Sequence, residues 1–226
     1  CGENVMVATT AMLHRTTDFV EGMTTWQMGW MSAAVTLSDI ASMGAEPKYL
    51  LIAVGLDRWQ DLAGVMQGAQ DCCTAFGAEI IGGDIDRHSE LTIVTTGLGL
   101  ADRSSIVRRT GAQPGDLVCI TGIPGQAQAY LDGYRQYRKA LFEPQPRVKE
   151  GQLLARVGAS AMMDDSDGVA LSLYDLMNSL HATRAQILWK VEVPASLPVF
   201  LGGLRIGATL SVIGAIVGEL VSAEQG

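Results

Sequence analysis

Aspartates in two separated stretches are the residues of this sequence best suited to holding cations and phosphates. Asp39 stands among apolar and small residues in LSDIASMGAEP, residues 37–47. A carboxylate in that setting is exposed, paired or bound to a cation, because burying a bare charge is costly. The segment DDSDG, residues 164–168, contains three carboxylates that repel one another unless a cation lies between them. The structural alternatives are a solvated helix face for Asp39 and a helix N-cap supplied by Ser166 or Asp167.

A glycine pair followed by an aspartate is the third candidate. Gly82, Gly83 and Asp84 follow a short predicted strand at residues 79–81. Glycines let backbone N–H groups approach a ligand closely, and Asp84 would be presented beside them. A Gly-Gly-Asp turn between two strands is the plain alternative, since such turns are common.

Two adjacent hydroxyls, those of Thr9 and Thr10, complete the set of candidate ligands. They end the β-rich segment NVMVATT, residues 4–10, which is predicted to form a strand that delivers both oxygens at its end. His14 and Arg15 are expected in the loop that follows. The alternative is an ordinary strand end that carries no chemistry.

Hydrophobic periodicity predicts the helices and strands that position these residues. Apolar residues at helical spacing predict a helix over residues 26–43, which ends at Gly44 and cannot pass Pro47. The other predicted elements are a buried strand at 49–56, a helix at 58–76 ended by Gly77, strands at 91–101 and 117–121, a helix that opens at GIPGQAQAY and runs to about residue 138, and a helix at 169–181.

Composition limits the class of protein. The chain has 226 residues, of which 48% are hydrophobic and 18% charged, and this is typical of a globular protein with an ample core. A net charge of −8 argues against a nucleic-acid-binding surface, which requires a basic face. An excess of carboxylates suits a protein that holds divalent cations against phosphates.

Cysteine usage predicts a cytoplasmic chain. The four cysteines, Cys1, Cys72, Cys73 and Cys119, form no CxxC pair, and we expect them to be buried and reduced. No signal peptide is visible. Because the sequence begins at Cys1, we expect that residues preceding it are missing.

Four motifs in order resemble one family. SDIASMGAEP, IIGGDID, RTGAQPGD and DDSDG, found between residues 38 and 168, resemble the thiamine-monophosphate kinase family, and TTAMLHRTTDF at residues 9–19 is similar to its archaeal form. That family belongs to the superfamily of aminoimidazole-ribotide synthetase and selenophosphate synthetase. The resemblance implies an α/β (α+β) fold with a mixed sheet and flanking helices. It divides the chain into a nucleotide- and Mg²⁺-binding domain at 1–143, the opening of a truncated second domain at 144–184 and an apolar helical tail at 185–226.

The resemblance also implies an activity and a site. The family transfers the γ-phosphoryl group of ATP to thiamine monophosphate with Mg²⁺, and its members are homodimers whose first domains pair across a sheet. No Walker motif is present, so the chain would be a kinase without a P-loop. The implied metal ligands are Thr9, Thr10, Asp39, Asp84, Asp164 and Asp167. The implied nucleotide contacts are Gly82, Gly83, Arg109 and Ser166, and Asp18 is the implied substrate contact.

Three departures from the family predict weak or absent turnover. Ala11 stands where the family has a metal-binding aspartate, a glycine-rich segment that precedes this region is lacking, and most of the second domain is absent. The alternatives within the superfamily are another ATP-dependent synthetase or a non-catalytic nucleotide-binding remnant. Selenophosphate synthesis is disfavoured because no cysteine lies in a glycine-rich N-terminal loop.

The C-terminal segment carries a different resemblance. Residues 185–226 resemble permeases of binding-protein-dependent transporters, which makes a transport component the alternative from another functional class. The apolar stretch at 197–221 approaches the length of a membrane span, but Arg205 interrupts it and glycine is frequent. A packed helix pair is the alternative, and membrane contact is not the favoured interpretation.

Overall fold

One mixed four-stranded sheet organises the first part of the chain. The computed structural model describes residues 4–113, 115–166, 168–179, 182–194 and 196–197. The strands are β1 (Asn4–His14), β2 (Glu46–Leu56), β3 (Glu79–Arg87) and β4 (Thr92–Asp102), in the spatial order β1-β4-β2-β3. Strand β4 is antiparallel to β1 and β2, whereas β3 is parallel to β2. Strands β1 and β3 therefore form the two opposite edges of the sheet.

Two helices cover one face of the sheet. Helix α1 (Thr25–Ser42) begins with a capping box between Thr24 and Gln27, and helix α2 (Leu62–Phe76) follows a 3₁₀ turn at Trp59–Asp61. Both helices end where predicted, because Gly44 and Gly77 adopt positive φ angles of 72° and 77°. The core between helices and sheet is apolar, and its largest fully buried members include Leu37, Ile40, Leu50, Leu56, Leu91 and Ile93.

Glycines allow α1 and α2 to pack in close contact. A Cβ atom added at Gly68 would lie 1.8 Å from the carbonyl oxygen of Trp26, and one added at Gly29 would lie 2.0 Å from that of Val65. No side chain fits at such distances, so these positions fix how closely the two helices approach. Close packing of α1 against α2 therefore requires glycine at positions 29 and 68.

Short helices follow the sheet. They are a 3₁₀ turn at Arg109–Gly111, α3 (Gln126–Leu131), a 3₁₀ turn at Arg135–Tyr137, α4 (Arg138–Phe142), α5 (Val148–Arg156), α6 (Val169–Ser179), α7 (Arg184–Ile187) and a π turn at Leu188–Glu192. Trp30 Nε1 donates to the carbonyl oxygen of Pro144 at 2.9 Å, and Gln27 donates to Glu143 at 3.1 Å, so α1 holds the segment before α5. Contacts divide the chain into residues 1–168 and 169–226. The boundaries inferred from the resemblance, after 143 and after 184, stay a prediction.

Two of the predicted strand ends are wrong, because strand pairing continues past them. Strand β1 runs to His14 and pairs with β4 along its whole length, so Thr9 and Thr10 lie within the strand and not at its end. Strand β3 likewise continues through Gly82, Gly83 and Asp84, which pair with β2. The Gly-Gly-Asp motif is therefore part of a strand and not a turn.

Two further predictions are wrong between residues 117 and 138. The predicted strand at 117–121 pairs with no other segment that the structure describes, and its Leu117 and Val118 side chains are exposed. The single helix predicted to end near 138 is interrupted at Gly133, where φ is 102°. The predicted elements at 26–43, 49–56 and 91–101 are confirmed, with small shifts of their ends, and the helix at 58–76 begins as a 3₁₀ turn.

Among the three described cysteines, the prediction of burial is confirmed for the vicinal pair, and Cys1 lies outside the described residues. Cys72 and Cys73 are buried and unpaired, but Cys119 is exposed, since its segment lacks a strand partner. Burial raises the pKa of the Cys73 thiol to about 12, and burial together with the neighbouring Cys73 raises the pKa of Cys72 further. Both thiols are therefore protonated and unreactive at neutral pH.

The structure describes only part of the C-terminal segment for which a permease-like stretch was predicted. Within the described part of the chain, every helix is too short or too polar to cross a membrane. Residues 198–226, which hold nearly all of the predicted apolar stretch, lie outside the described residues, and so does Asp167.

Candidate active site

Thr9 and Asp39 form a hydrogen-bonded pair between the sheet and helix α1. The Thr9 hydroxyl donates to Oδ2 of Asp39 at 2.8 Å, and Asp39 is half-buried. Asp39 also belongs to a well-packed part of α1, where Leu37, Ile40 and Ala41 are buried. The sequence predicted that Asp39 is exposed, paired or bound to a cation. In the structure it is paired, because the Thr9 hydroxyl donates to it and fixes its orientation.

Thr10 faces away from this pair. Successive side chains of a strand point to opposite faces of the sheet, so Thr10 lies on the face that the helices leave open. Its hydroxyl lies 3.0 Å from that of Thr96 on β4. The two adjacent hydroxyls therefore lie on opposite faces of the sheet, and of the two only the Thr9 hydroxyl contacts Asp39.

Asp84 lies at the far edge of the sheet. It is exposed on β3, and its Oδ1 accepts a hydrogen bond from the backbone N–H of Ile85 at 2.9 Å. The register aligns Asp84 with Ala53 of β2, Val94 of β4 and Met12 of β1, so Asp84 shares the open face with Thr10. Two strands separate β1 from β3, which amounts to about 14 Å at the usual strand spacing.

The two glycines of the motif differ in their surroundings. A Cβ atom at Gly83 would lie 1.7 Å from the carbonyl oxygen of Ile52, so glycine is required there for β3 to pair with β2. A Cβ atom at Gly82 would lie 3.3 Å from the end of the Leu51 side chain, and Gly82 is exposed on the open face. Only Gly82 is therefore left without a packing reason to be glycine.

Arg109, Asp164 and Ser166 are brought together. Arg109 Nη2 lies 3.5 Å from Oδ1 of Asp164, and the Ser166 hydroxyl donates to Oδ2 of the same carboxylate at 2.6 Å. A Cβ atom at Gly111 would lie 1.8 Å from the carbonyl oxygen of Ser160, so the turn that carries Arg109 packs directly against the segment leading to Asp164. These three predicted site residues form one polar cluster.

Asp18 lies in the turn after β1, beyond His14. Its Oδ2 accepts hydrogen bonds from the backbone N–H of His14 at 2.8 Å and from the Thr17 hydroxyl at 2.7 Å. Next to it, Arg15 forms ion pairs with Asp61, which is buried, and with Asp57 at 3.6 Å. The substrate contact inferred for Asp18 stays a prediction, and the Arg15 cluster gave no signal in the sequence.

The described residues supply oxygen ligands in separate groups. No three histidine, cysteine or carboxylate side chains converge on a common metal position anywhere in the described ranges. Mg²⁺ is nevertheless compatible with the donors present, since it binds through one or two carboxylates and takes waters and phosphate oxygens as its other ligands. Asp39 beside Thr9, Asp84, and Asp164 beside Ser166 each fit that requirement.

Two arginines near β1 are not among the predicted site residues. Arg103 and Arg108 lie between β4 and the 3₁₀ turn of Arg109 and line a cavity of about 490 Å³ beside β1. Neither belongs to the motifs quoted above, and only their position on either side of the SSIV segment could have drawn attention to them.

Comparison with known proteins first identifies a class. The family described as AIR synthase related protein, N-terminal domain, matches residues 2–101. This class agrees with the mixed sheet and its flanking helices, so the predicted fold is confirmed. The family described as Binding-protein-dependent transport system inner membrane component matches residues 161–226, where the sequence predicted a permease-like segment.

Individual relatives narrow the class to a family. A thiamine-monophosphate kinase of Methanospirillum hungatei is 54% identical over 199 residues, which is 88% of this chain and 69% of the relative. The crystal structure of thiamine-monophosphate kinase from Stenotrophomonas maltophilia matches with a TM-score of 0.72 at 28% identity, over 78% of this chain and 61% of that one. A structure described as AaThiL complexed with AMPPCP and TMP shares the fold, with a TM-score of 0.70 at 23% identity over 77% of this chain and 60% of that one.

The chain belongs to the thiamine-monophosphate kinase family. It spans about two thirds of the length of the M. hungatei relative and somewhat less of the two solved chains.

Proposed function

We propose that this chain transfers the γ-phosphoryl group of ATP to thiamine monophosphate and so produces thiamine diphosphate. The observation that carries the proposal is the cluster of Arg109, Asp164 and Ser166, residues that the family resemblance assigns to nucleotide and metal, in a chain 54% identical to a thiamine-monophosphate kinase. The solved relative described as a complex with AMPPCP and TMP supports ATP and a phosphorylated acceptor as ligands of this fold.

The chemistry requires positioning and charge neutralisation. Donor and acceptor are both polyanions, so the protein aligns them in line and stabilises the charge on the transferred group, with no covalent intermediate. Asp39, Asp84 and Asp164 are the residues that would hold Mg²⁺, which would neutralise part of the phosphate charge. Among this chain's residues, Asp39 offers a carboxylate that Thr9 holds in place, and Arg109 offers donors for phosphate oxygens.

A homodimer is part of the proposal. The open face of the sheet carries Met6, Met12, Tyr49 and Leu51 with 67%, 56%, 44% and 38% of their surfaces exposed. Several exposed apolar side chains on one face of a sheet are typical of a protein interface. A second copy of the same face is the occupant that a two-fold axis provides.

Such a dimer would also assemble the predicted ligands. Thr10 and Asp84 share the open face but lie on opposite edge strands. If the two-fold axis runs along the strands, β1 of one copy lies over β3 of its partner. Thr10 of one chain then faces the Asp84 edge of the other, with the Thr9–Asp39 pair on the helix side of the same strand. Neither edge needs to move within its own chain. The proposed active site is therefore shared between two copies.

The cytoplasm is the proposed location. Cys72 and Cys73 are adjacent, buried and unpaired, which suits a reducing compartment.

Formation of thiamine diphosphate by the purified full chain tests the proposed function. With ATP, thiamine monophosphate and Mg²⁺, we expect product to appear, and we expect Asp39→Asn to reduce kcat by about 100-fold, since a charge-stabilising group is lost. Asp132→Asn, at an exposed aspartate after α3, serves as the matched control and should leave the rate unchanged. Absence of product from the folded wild-type chain at millimolar ATP and Mg²⁺ would overturn the proposal.

A further inference from the structure

Arg15 links the turn after β1 to the start of helix α2. Its guanidinium forms ion pairs with Asp61, which lies 46 positions away in the sequence, and with Asp57 at 3.6 Å. Asp61 is buried, and the Arg15 side chain keeps only 22% of its surface exposed. A largely buried ion pair resists separation, because breaking it leaves an uncompensated charge. The position of the turn is therefore coupled to the position of α2.

One donor of Arg15 has no partner. The Nε atom of Arg15 is buried and makes no hydrogen bond with any residue that the structure describes. An unpaired buried donor lowers the stability of the fold, since its lost contact with water is not replaced. Packing and stability alone therefore do not account for an arginine at this position.

The backbone of the same turn is held from the side of strand β4. The N–H of Arg15 donates to the carbonyl oxygen of Leu91 at 2.9 Å. The backbone N–H and the hydroxyl of Thr16 donate to Oε2 of Glu90 at 3.0 Å and 2.8 Å. The ion pair with Asp61 adds a contact from a second element, so the turn is held by the sheet and by the start of α2 together.

This turn carries Asp18 with one carboxylate oxygen fixed. Oδ2 accepts hydrogen bonds from the backbone N–H of His14 at 2.8 Å and from the Thr17 hydroxyl at 2.7 Å. Oδ1 makes no hydrogen bond with another described residue. Thiamine monophosphate contains a thiazolium cation and an amino group, and a carboxylate attracts both. A half-buried carboxylate that its own turn orients is preorganised for such a ligand.

We propose that Arg15 is a positioning residue for the phosphoryl acceptor. Through its ion pair with Asp61 it fixes the turn that carries Asp18, and so it sets the affinity for thiamine monophosphate without touching that molecule. The inference rests on the proposed kinase function and on the predicted contact of Asp18, and it adds a residue that lies outside the predicted site. A displaced carboxylate weakens binding of thiamine monophosphate and leaves binding of ATP intact.

Steady-state kinetics and calorimetric titration of the full chain with thiamine monophosphate test this role. We expect Arg15→Gln to raise the KM and the Kd for thiamine monophosphate by about 10-fold, while the KM for ATP and kcat change by less than about 2-fold. Arg15→Lys should recover part of the loss, because a point charge is retained opposite Asp61.

Arg58→Gln is the matched control. Arg58 also forms an ion pair with Asp61, at 3.3 Å, but it directly precedes the 3₁₀ turn of Trp59–Asp61 and does not belong to the turn after β1. Each single variant leaves Asp61 with one arginine partner, so we expect both to fold, and thermal unfolding checks this. Only Arg15→Gln should weaken the binding of thiamine monophosphate.

A double variant separates positioning from independent effects. Asp61→Asn should weaken the binding of thiamine monophosphate about as much as Arg15→Gln does, and the Arg15→Gln/Asp61→Asn double variant should lose no more than either single variant. Additive losses would contradict an action of Arg15 through Asp61.

The outcomes distinguish this role from the kinase function. A Kd of Arg15→Gln for thiamine monophosphate within 2-fold of the wild-type value would overturn the inference, as would equal losses in Arg15→Gln and Arg58→Gln. A wild-type chain that binds thiamine monophosphate but forms no thiamine diphosphate, with binding weakened by Arg15→Gln alone, would retain the positioning role and overturn the kinase function. A wild-type chain that does not bind thiamine monophosphate at millimolar concentration would overturn both.

Discussion

The hydroxyl of Thr9 donates to Oδ2 of Asp39 across 2.8 Å, and this bond joins edge strand β1 to helix α1. Because the next residue, Thr10, points to the opposite face and contacts Thr96, the two neighbouring threonines offer a matched pair of positions. Thr9 positions the Asp39 carboxylate, whereas Thr10 does not contact it.

This pair gives the first prediction. Thr9→Val removes the bond that orients Asp39, so we expect the Mg²⁺ concentration needed for half-maximal stabilisation of the AMPPCP complex to rise about 10-fold, the effect typical of losing a residue that orients a metal ligand. Thr9→Ser keeps the hydroxyl and should restore the wild-type value. Thr10→Val is the control. An equal effect at both threonines would contradict a positioning role for Thr9.

The glycine pair on β3 gives the second prediction. Gly83→Ala forces a Cβ to within 1.7 Å of the Ile52 carbonyl oxygen, and we expect a loss of ~1–3 kcal/mol in the free energy of unfolding. Gly82→Ala meets only the flexible end of Leu51 at 3.3 Å and should cost less than about 1 kcal/mol. Urea denaturation measures both. If Gly82 also admits a phosphate, its variant will lose affinity for AMPPCP without losing stability, whereas similar stabilities for the two variants would refute the packing argument.

Ala11 gives the third prediction. It lies on the helix-facing side of β1, level with the buried Thr95, and the family resemblance places a metal-binding aspartate there. Ala11→Asp should lower the melting temperature without metal, since a carboxylate enters a partly buried position. Added Mg²⁺ should then raise the melting temperature of the variant more than that of the wild type. Ala11→Asn introduces a side chain of similar size without the negative charge and serves as the control. An equal rise in melting temperature with Mg²⁺ for both variants would contradict a metal position at residue 11.

Glu90 gives a prediction about pH. Hydrogen bonds from the Thr16 hydroxyl and backbone N–H hold the pKa of the Glu90 carboxyl below its usual range. A carboxyl with a lowered pKa stabilises the fold above its unfolded-state pKa, and that contribution disappears as the pH falls through the folded-state value. The melting temperatures of wild type and Thr16→Val should therefore differ most at neutral pH and converge below roughly pH 4. Glu90→Gln removes the titration and should show no such convergence; a difference that grows on acidification would reverse the assigned sign.

Local patterns were sufficient for helices α1 and α2 and for the position of Asp39 on α1. Capping residues and glycines set the ends of α1 and α2, and both ends follow from short-range chemistry. The motifs were likewise sufficient to select Arg109, Asp164 and Ser166, which the structure brings into one cluster.

Long-range pairing could not be predicted in the same way. Strand β1 continues past Thr10 because β4 pairs with it up to His14, and β3 continues through Gly83 because β2 pairs with it. The spatial order of the strands, which places β1 and β3 at opposite edges, has no local signal in the sequence.

A shared site makes complementation between two damaged chains the most direct measurement. Asp39→Asn and Asp84→Asn damage opposite edges of the sheet, so each homodimer should form little thiamine diphosphate. Co-expressed with different tags and isolated as mixed dimers, the two variants leave one intact site in each dimer, and we expect about half of the wild-type rate per dimer. A mixed dimer as inactive as its parents, beside an active wild type, would contradict a site built from two copies, and an inactive wild type would contradict the kinase function itself.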